Sequence, residues 1–187
     1  IEDLLKWCLD LNVRSITLYA FSTENFQRPS QEVNEILKIA EEKFREVLTN
    51  EEIHKHKVKV KVIGRLNLLP ESLQETIRQA EEATKNYEEH LLNVAIAYGG
   101  RAEIVDAAKE IIRRVEKGEL TPKEINEAIF EQHLYTSHMP KQDPDLIIRT
   151  SGEERLSGFL LWQCAYSELC FLDVYWPAFR RIDLLRA

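Results

Sequence analysis

A chain of 187 residues, 44% hydrophobic and 30% charged, can bury one sizeable core and not obviously two, so a single domain is expected. Its net charge of −7 gives no basic face to a nucleic acid backbone, which excludes nucleic acid as a partner and makes any phosphate site a local one. No apolar run reaches the roughly 18 residues that span a bilayer, no signal peptide is evident, and Cys8, Cys164 and Cys170 lack metal-ligand spacing and sit in apolar stretches that read as core; a soluble, cytoplasmic protein is expected.

The chain opens on Ile1-Glu2-Asp3-Leu4-Leu5, partway along an amphipathic helix, and stops at Asp183-Leu184-Leu185-Arg186-Ala187 without a helix stop, so it reads as a fragment at both ends. Short β-type runs at 15–21, 58–63, 91–97, 146–149 and 169–174 alternate with helical stretches. That alternation predicts an α/β fold, a single domain with a mostly parallel central sheet flanked by helices. Between 30 and 48, Val33, Ile36, Leu37, Ala40, Phe44, Val47 and Leu48 draw one apolar stripe, in a helix expected to run to about Ile53. In 57–62 lysine alternates with valine, as on a strand near a sheet edge. After Gly100 a helix carrying Ile104, Val105, Ala108, Ile111, Ile112 and Val115 on one side is expected to end near Gly118, and Thr121-Pro122-Lys123-Glu124 starts another through a capping box.

Four strand-to-helix junctions carry polar, glycine-rich or cationic residues: 21–29, 64–70, 98–101 and 149–157. In open parallel sheets, ligands collect at these carboxyl ends. In the last junction Arg149 ends a strand, Gly152 lets the loop bend, Arg155 follows, and Ser157 is placed to cap a helix beginning Gly158-Phe159-Leu160, whose free amides attract anions. Guanidinium forks and hydroxyls suit diphosphate oxygens, and Phe159 to Trp162 suit hydrocarbon. The plainer alternative is that Arg149 and Arg155 pair with Glu153 and Glu154 and that Ser157 is only a cap. Ser22, Thr23, Glu24, Asn25 and Arg28 form a polar loop that turn chemistry alone could explain, and Tyr98-Gly99-Gly100-Arg101 alone is a weak signal. Glu168 lies in a largely apolar segment, either as a boundary residue or as a carboxylate for Mg²⁺ that also holds diphosphate.

The stretches TLYAFSTENFQRP, IAYGGR and DLIIRTSGEERLSGFLLWQCAYSELCFLDVYWPAF resemble the cis-prenyltransferases, the undecaprenyl and dehydrodolichyl diphosphate synthases, over nearly the whole chain and in the family's order. The resemblance implies repeated condensation of isopentenyl diphosphate onto an allylic primer, farnesyl or geranylgeranyl diphosphate, to give a long polyprenyl carrier-lipid precursor held in a hydrophobic tunnel. By the same resemblance Arg149, Arg155, Leu156 and Ser157 match the isopentenyl diphosphate site. Glu168 matches a carboxylate that helps hold Mg²⁺, and Asn25 matches the asparagine assigned to proton removal. Ser22, Thr23, Glu24, Phe26 and Arg28 line that loop. The family also implies a homodimer, and peripheral membrane contact is expected for release of a lipid product.

Three departures stand beside these matches. The family's amino-terminal D-G-N-G-R-W motif, with its Mg²⁺-binding aspartate and phosphate loop, is not among these residues; Phe26 stands where family members often have tryptophan; and Glu154 stands where bacterial members have histidine. The competing reading is a non-catalytic partner subunit. Retention of Asn25, Arg28, Arg149, Arg155, Ser157 and Glu168 argues against it.

Overall fold

In the computed structural model, which describes residues 2–187, β1 (Ser15–Ser22), β2 (Val58–Ile63) and β3 (His90–Tyr98) form a parallel sheet in the order β1-β3-β2. β3 is flanked on both sides and buries Leu92, Asn93 and the run from Ala95 to Tyr98, as a central parallel strand must. At the β2 edge Val58, Val60 and Val62 are buried while Lys59 and Lys61 are half-exposed, matching the alternation in the sequence. The outward N–H groups of Val60 and Val62 donate to Thr84 Oγ1 and Glu81 Oε1, each at 3.0 Å, from α4 (Glu71–Thr84). Side chains thus take the donors that would otherwise attract another strand.

These elements belong to the first of two compact units, which runs through Tyr98. Its α1 (Glu2–Asp10) buries Leu4 and Cys8. Helix α2 (Ser30–Val47) buries Val33, Leu37, Phe44 and Val47, with Ile36 and Ala40 half-buried against the same core. It stops before Ile53 because Asn50 Oδ1 accepts the Ile53 N–H at 3.1 Å and starts a separate helix, α3 (Glu51–Lys55). An asparagine cap ends what apolar spacing made look continuous.

The second unit, Gly99–Ala187, holds α5 (Gly100–Glu116), α6 (Glu127–Glu131), the parallel pair β4 (Leu146–Arg149) and β5 (Glu168–Phe171), and α7 (Arg181–Arg186). Helix α5 buries Gly100, Glu103, Ala107 and Ile111, whereas Val105 and Ile112, expected on the core side, are 47% and 57% exposed. The buried face starts with a glycine and a carboxylate, which a count of apolar residues passes over. Thr121 and Glu124 form their capping box, yet the result is one 3₁₀ turn, Pro122–Glu124, because Asn126 Oδ1 accepts the Ile129 N–H at 2.9 Å and starts α6 afresh. Of the cysteines only Cys8 is buried; Cys164 and Cys170 are half-exposed.

The carboxyl end of the three-stranded sheet is irregular. Register slips on β1 between Tyr19 and Phe21 and again before Ser22, and Ala97 takes φ +50. Such breaks twist strands and re-aim the residues that follow. Gly64, at φ +131 just after β2, has Ile96 O 2.1 Å from where a Cβ would stand. Gly64→Ala is expected to lose roughly 2–5 kcal/mol by denaturant unfolding, from left-handed strain and overpacking against backbone together; a wild-type midpoint would show that the two strands can separate there at no cost.

Candidate active site

The loop after β1 is a 3₁₀ turn, Thr23–Gln27, closed by a reciprocal cap. The Asn25 N–H donates to Ser22 Oγ at 3.2 Å, and the Ser22 N–H donates to Asn25 Oδ1 at 3.0 Å. Phe26 turns inward against Phe21, edge-to-face with ring centroids 4.9 Å apart, which fixes the turn on the core. Asn25 is therefore half-buried with its carbonyl oriented by backbone, and among the described residues its Nδ2 donates to no partner. Glu24 is exposed and Thr23 half-exposed. Arg28 lies at the solvent edge, its Nη1 donating to Glu32 Oε1 at 2.6 Å in a pair half-exposed on both sides. Such a pair contributes at most about 1 kcal/mol, so an incoming anion can draw the guanidinium away.

The loop after β4 gathers the other set. Arg149 Nη1 donates to Ser157 Oγ at 2.7 Å and to the Arg155 carbonyl, so one guanidinium folds residues 155–157 back over the end of its own strand. Arg155 pairs with Glu153 at 2.5 Å with both side chains well exposed, as in the plainer reading, whereas Arg149 takes loop oxygens instead. The backbone is tied to the segment beyond β5: the N–H groups of Ser151 and Gly152 donate to the carbonyls of Val174 and Leu172 at 2.8 and 3.0 Å. Leu156 is half-buried and its carbonyl accepts the Phe159 N–H at 3.0 Å, fixing the turn that presents the exposed Ser157.

No α-helix follows Ser157. Ser157, Gly158 and Leu160 have φ of +48, +82 and +44, left-handed values that break a right-handed helix at once, and residues 157–162 make turns before a 3₁₀ helix at Gln163–Tyr166. Ser157 is thus not a helix cap, and the cationic character of this loop rests on Arg149 and Arg155 rather than on a helix dipole. The loop is held from behind by residues passed over in the sequence. The Gly100 N–H donates to Gly158 O at 2.7 Å, and the fully buried Gln163 donates through Nε2 to Glu103 Oε1 at 3.1 Å and to Thr136 Oγ1 at 2.8 Å. Glutamine and glutamate inside an apolar count carry no periodic signal; the glycine opening a helix was the one visible hint.

Glu168 begins β5, exposed, its N–H donating to Asp145 O at 3.0 Å; among the described residues its carboxylate takes no hydrogen bond or ion pair. It borders a cleft of about 460 Å³ with Asp143, Asp145, Leu146 and Tyr166. Asp145 is engaged by the Lys141 ammonium, which holds its carboxyl below the usual range. The described residues contain no cluster of three metal-binding side chains. A free carboxylate such as Glu168 nonetheless fits Mg²⁺, which takes one or two carboxylates and fills the rest of its shell from substrate phosphates and water. Burial pushes the Cys8 and Cys164 thiols up, so neither is poised as a thiolate nucleophile at neutral pH.

Residues 1–187 all match the prenyltransferase family described as "Putative undecaprenyl diphosphate synthase". The chain is 54% identical over 187 residues to a tritrans,polycis-undecaprenyl-diphosphate synthase (geranylgeranyl-diphosphate specific) of Methanocaldococcus jannaschii, covering 100% of this chain and 67% of that protein. It is 55% identical to the synthase of the same description from Methanopyrus kandleri, covering 68% of it. Its fold matches the crystal structure of lavandulyl diphosphate synthase from Lavandula x intermedia in complex with dimethylallyl diphosphate, with a TM-score of 0.93 and 38% identity over 98% of this chain and 78% of that one. A probable undecaprenyl diphosphate synthase from Campylobacter jejuni matches at a TM-score of 0.84 and 37% identity, over 99% of this chain and 83% of that one.

The left-handed Ser157 gives a test of the loop geometry. Ser157→Ala and Ser157→Gly both remove the hydroxyl that Arg149 grips, but only glycine relieves the backbone, so Ser157→Gly is expected to be more stable than Ser157→Ala by up to about 1 kcal/mol and to melt at a higher temperature. Equal or reversed melting temperatures would contradict the left-handed assignment.

Proposed function

The chain belongs to the undecaprenyl diphosphate synthase family of prenyltransferases, and we propose that it condenses isopentenyl diphosphate repeatedly onto geranylgeranyl diphosphate to make a long-chain polyprenyl diphosphate, a carrier-lipid precursor. The choice of primer is supported by relatives 54% and 55% identical whose names specify it. The observation that carries the reading is the strand-end loop in which Arg149 binds Ser157 Oγ beside an exposed Arg155: two guanidiniums and a hydroxyl at one turn, the donor set a diphosphate needs.

In this reading Arg149, Arg155 and Ser157 hold the diphosphate of isopentenyl diphosphate. The allylic C–O bond breaks, its electron pair leaving with diphosphate. The isopentenyl double bond supplies the pair that forms the new C–C bond, and the adjacent carbon then loses a proton. Asn25, with Oδ1 oriented by the Ser22 N–H and Nδ2 free to donate, positions that carbon and receives the proton at Oδ1. Arg28 and Ser22 line the same loop, and Thr23, Glu24 and Phe26 shape it. Glu168 is the carboxylate available to Mg²⁺, which when bound offsets the charge of the departing diphosphate. Donors fixed beforehand at developing negative charge need no reorganisation as the bond ionises.

A product that lengthens by five carbons at a time needs an apolar tunnel, since each unit removes more hydrocarbon from water at about 25 cal/mol per Å². Helix α2 supplies one wall, where Ile36 and Ala40 are only half-buried. The protein works as a cytoplasmic homodimer that touches the membrane only to release product. Exposed Leu146, Leu169 and Tyr166 support a covered surface in the dimer, and no described helix is long and apolar enough to cross a membrane.

In the full-length protein, Arg149→Ala and Arg155→Ala are each expected to raise KM for isopentenyl diphosphate about tenfold or more, leaving KM for the allylic primer nearly unchanged, with EDTA abolishing turnover. Normal affinity for isopentenyl diphosphate in both variants, or turnover in metal-free buffer, would refute the reading. Ala40→Leu tests the tunnel wall. A shorter product by chromatography from a protein of unchanged melting temperature is expected. Unchanged length with roughly 1–3 kcal/mol lost would place Ala40 in the core instead.

A further inference from the structure

The glycine pair of the Tyr98-Gly99-Gly100-Arg101 stretch has no place in the chemistry above, yet Gly100 is fully enclosed at the first turn of α5. Its N–H, one of the donors a helix leaves unpaired at its start, is spent on Gly158 O at 2.7 Å. A Cβ at Gly100 would stand 2.7 Å from that same oxygen and 2.8 Å from Leu161 Cγ. Only glycine lets the helix start approach this closely. The carbonyl it grips belongs to the residue after Ser157, so it sets the orientation of the left-handed turn that presents the hydroxyl.

One turn along α5, Glu103 repeats the attachment. Its buried Oε1 accepts from the Tyr135 N–H at 2.8 Å and from Gln163 Nε2 at 3.1 Å; Gln163 Nε2 also reaches Thr136 Oγ1, which donates to Gln142 Oε1 at 2.7 Å. Gln163 thereby fixes the far end of the 158–162 turns. Its Oε1 is buried without a hydrogen-bond partner among the described residues. An orphaned acceptor is costly, so what Gln163 contributes to this contact comes from its donor side.

We propose that Gly100 and Gln163 are positioning residues for isopentenyl diphosphate binding: the start of α5 clamps both ends of the 158–163 segment and so holds Ser157, with Arg155 before it, in the arrangement that receives the diphosphate. This rests on the assignment of Arg149, Arg155 and Ser157 to that substrate. Neither positioning residue touches substrate; they act through the loop. The clamp also accounts for how the exposed Ser157 and the buried Leu160 both persist in left-handed conformations: the backbone is held at Gly158 O and again at Gln163.

The test uses the full-length enzyme with four variants: Gly100→Ala, Gln163→Met, Arg149→Ala, and Ile111→Val as a core truncation further along the same helix. Steady-state kinetics for each substrate are read beside hydrogen exchange in peptides spanning 153–161. Gly100→Ala and Gln163→Met are expected to raise KM for isopentenyl diphosphate about tenfold, to leave KM for the allylic primer within about twofold, and to speed exchange in that segment. Ile111→Val is expected to lower the melting temperature without either effect. If Arg149→Ala raises the isopentenyl KM while Gly100→Ala and Gln163→Met do not, the clamp is refuted and the substrate assignment stands. If Arg149→Ala leaves that KM unchanged, the assignment fails and the clamp with it. Should one of the two clamp variants not fold, the other decides alone, and unchanged exchange in a folded variant refutes the proposal.

Discussion

Parallel pairing forbids a tight turn between neighbouring strands, so each strand must release the chain at its carboxyl end into a long crossover. That constraint decides where polar chemistry can sit in this protein. β1 ends at Ser22 and the capped turn at Asn25 follows at once; β4 ends at Arg149 and the arginine-serine loop follows at once. β2 ends at Ile63 and Gly64 follows, its missing side chain letting it pass Ile96 O, and β3 runs into the glycine start of α5. At each of these points strand hydrogen bonding has run out, and the groups that take over are side chains and helix ends.

Each loop is organised by the groups that would serve it chemically. Asn25 is the third residue of a cap and, in the proposed reaction, the amide offered to a reacting carbon, so its carbonyl direction is set before any ligand arrives. Arg149 is the staple across residues 155–157 and, in the proposed reading, a guanidinium for phosphate, so a ligand oxygen would compete with Ser157 Oγ and the Arg155 carbonyl for the same donors. Arginine tolerates this dual use because its fork presents five donors in a fixed plane. The exposed pairs Arg28–Glu32 and Arg155–Glu153 work the other way: they are weak in water and leave both guanidiniums exchangeable.

Buried polar groups do the holding that apolar packing cannot. Leucine against leucine fills volume without fixing direction, whereas Gln163 on Glu103 and Thr136 fixes both distance and angle, at the cost of one carbonyl left without a partner. The same division appears at the β2 edge, where Thr84 and Glu81 satisfy strand donors while the strand's valines and Ile63 pack inward.

The sequence by itself determined the strands, because a run such as Val58–Ile63 or Leu146–Arg149 declares its state through side chains that alternate or crowd at short range. It also determined the candidate residues, since Asn25, Arg149, Arg155, Ser157 and Glu168 stand in long, ordered motifs whose chemistry is legible from residue type. The helix limits were less legible: Asn50 and Asn126 each started a new helix where apolar spacing or a capping box pointed to continuation, a local competition between backbone and side-chain acceptors. Tertiary structure alone decided the burial of Glu103 and Gln163, the exposure of Val105 and Ile112, and the left-handed turn at Ser157 in place of a helix. The physical reason is the same in each case. A φ of +48 at a serine is unfavourable in isolation and is held by Arg149 on its hydroxyl and by Gly100, far away in the chain, on the next carbonyl, and no local pattern records a partner that arrives only when the chain folds.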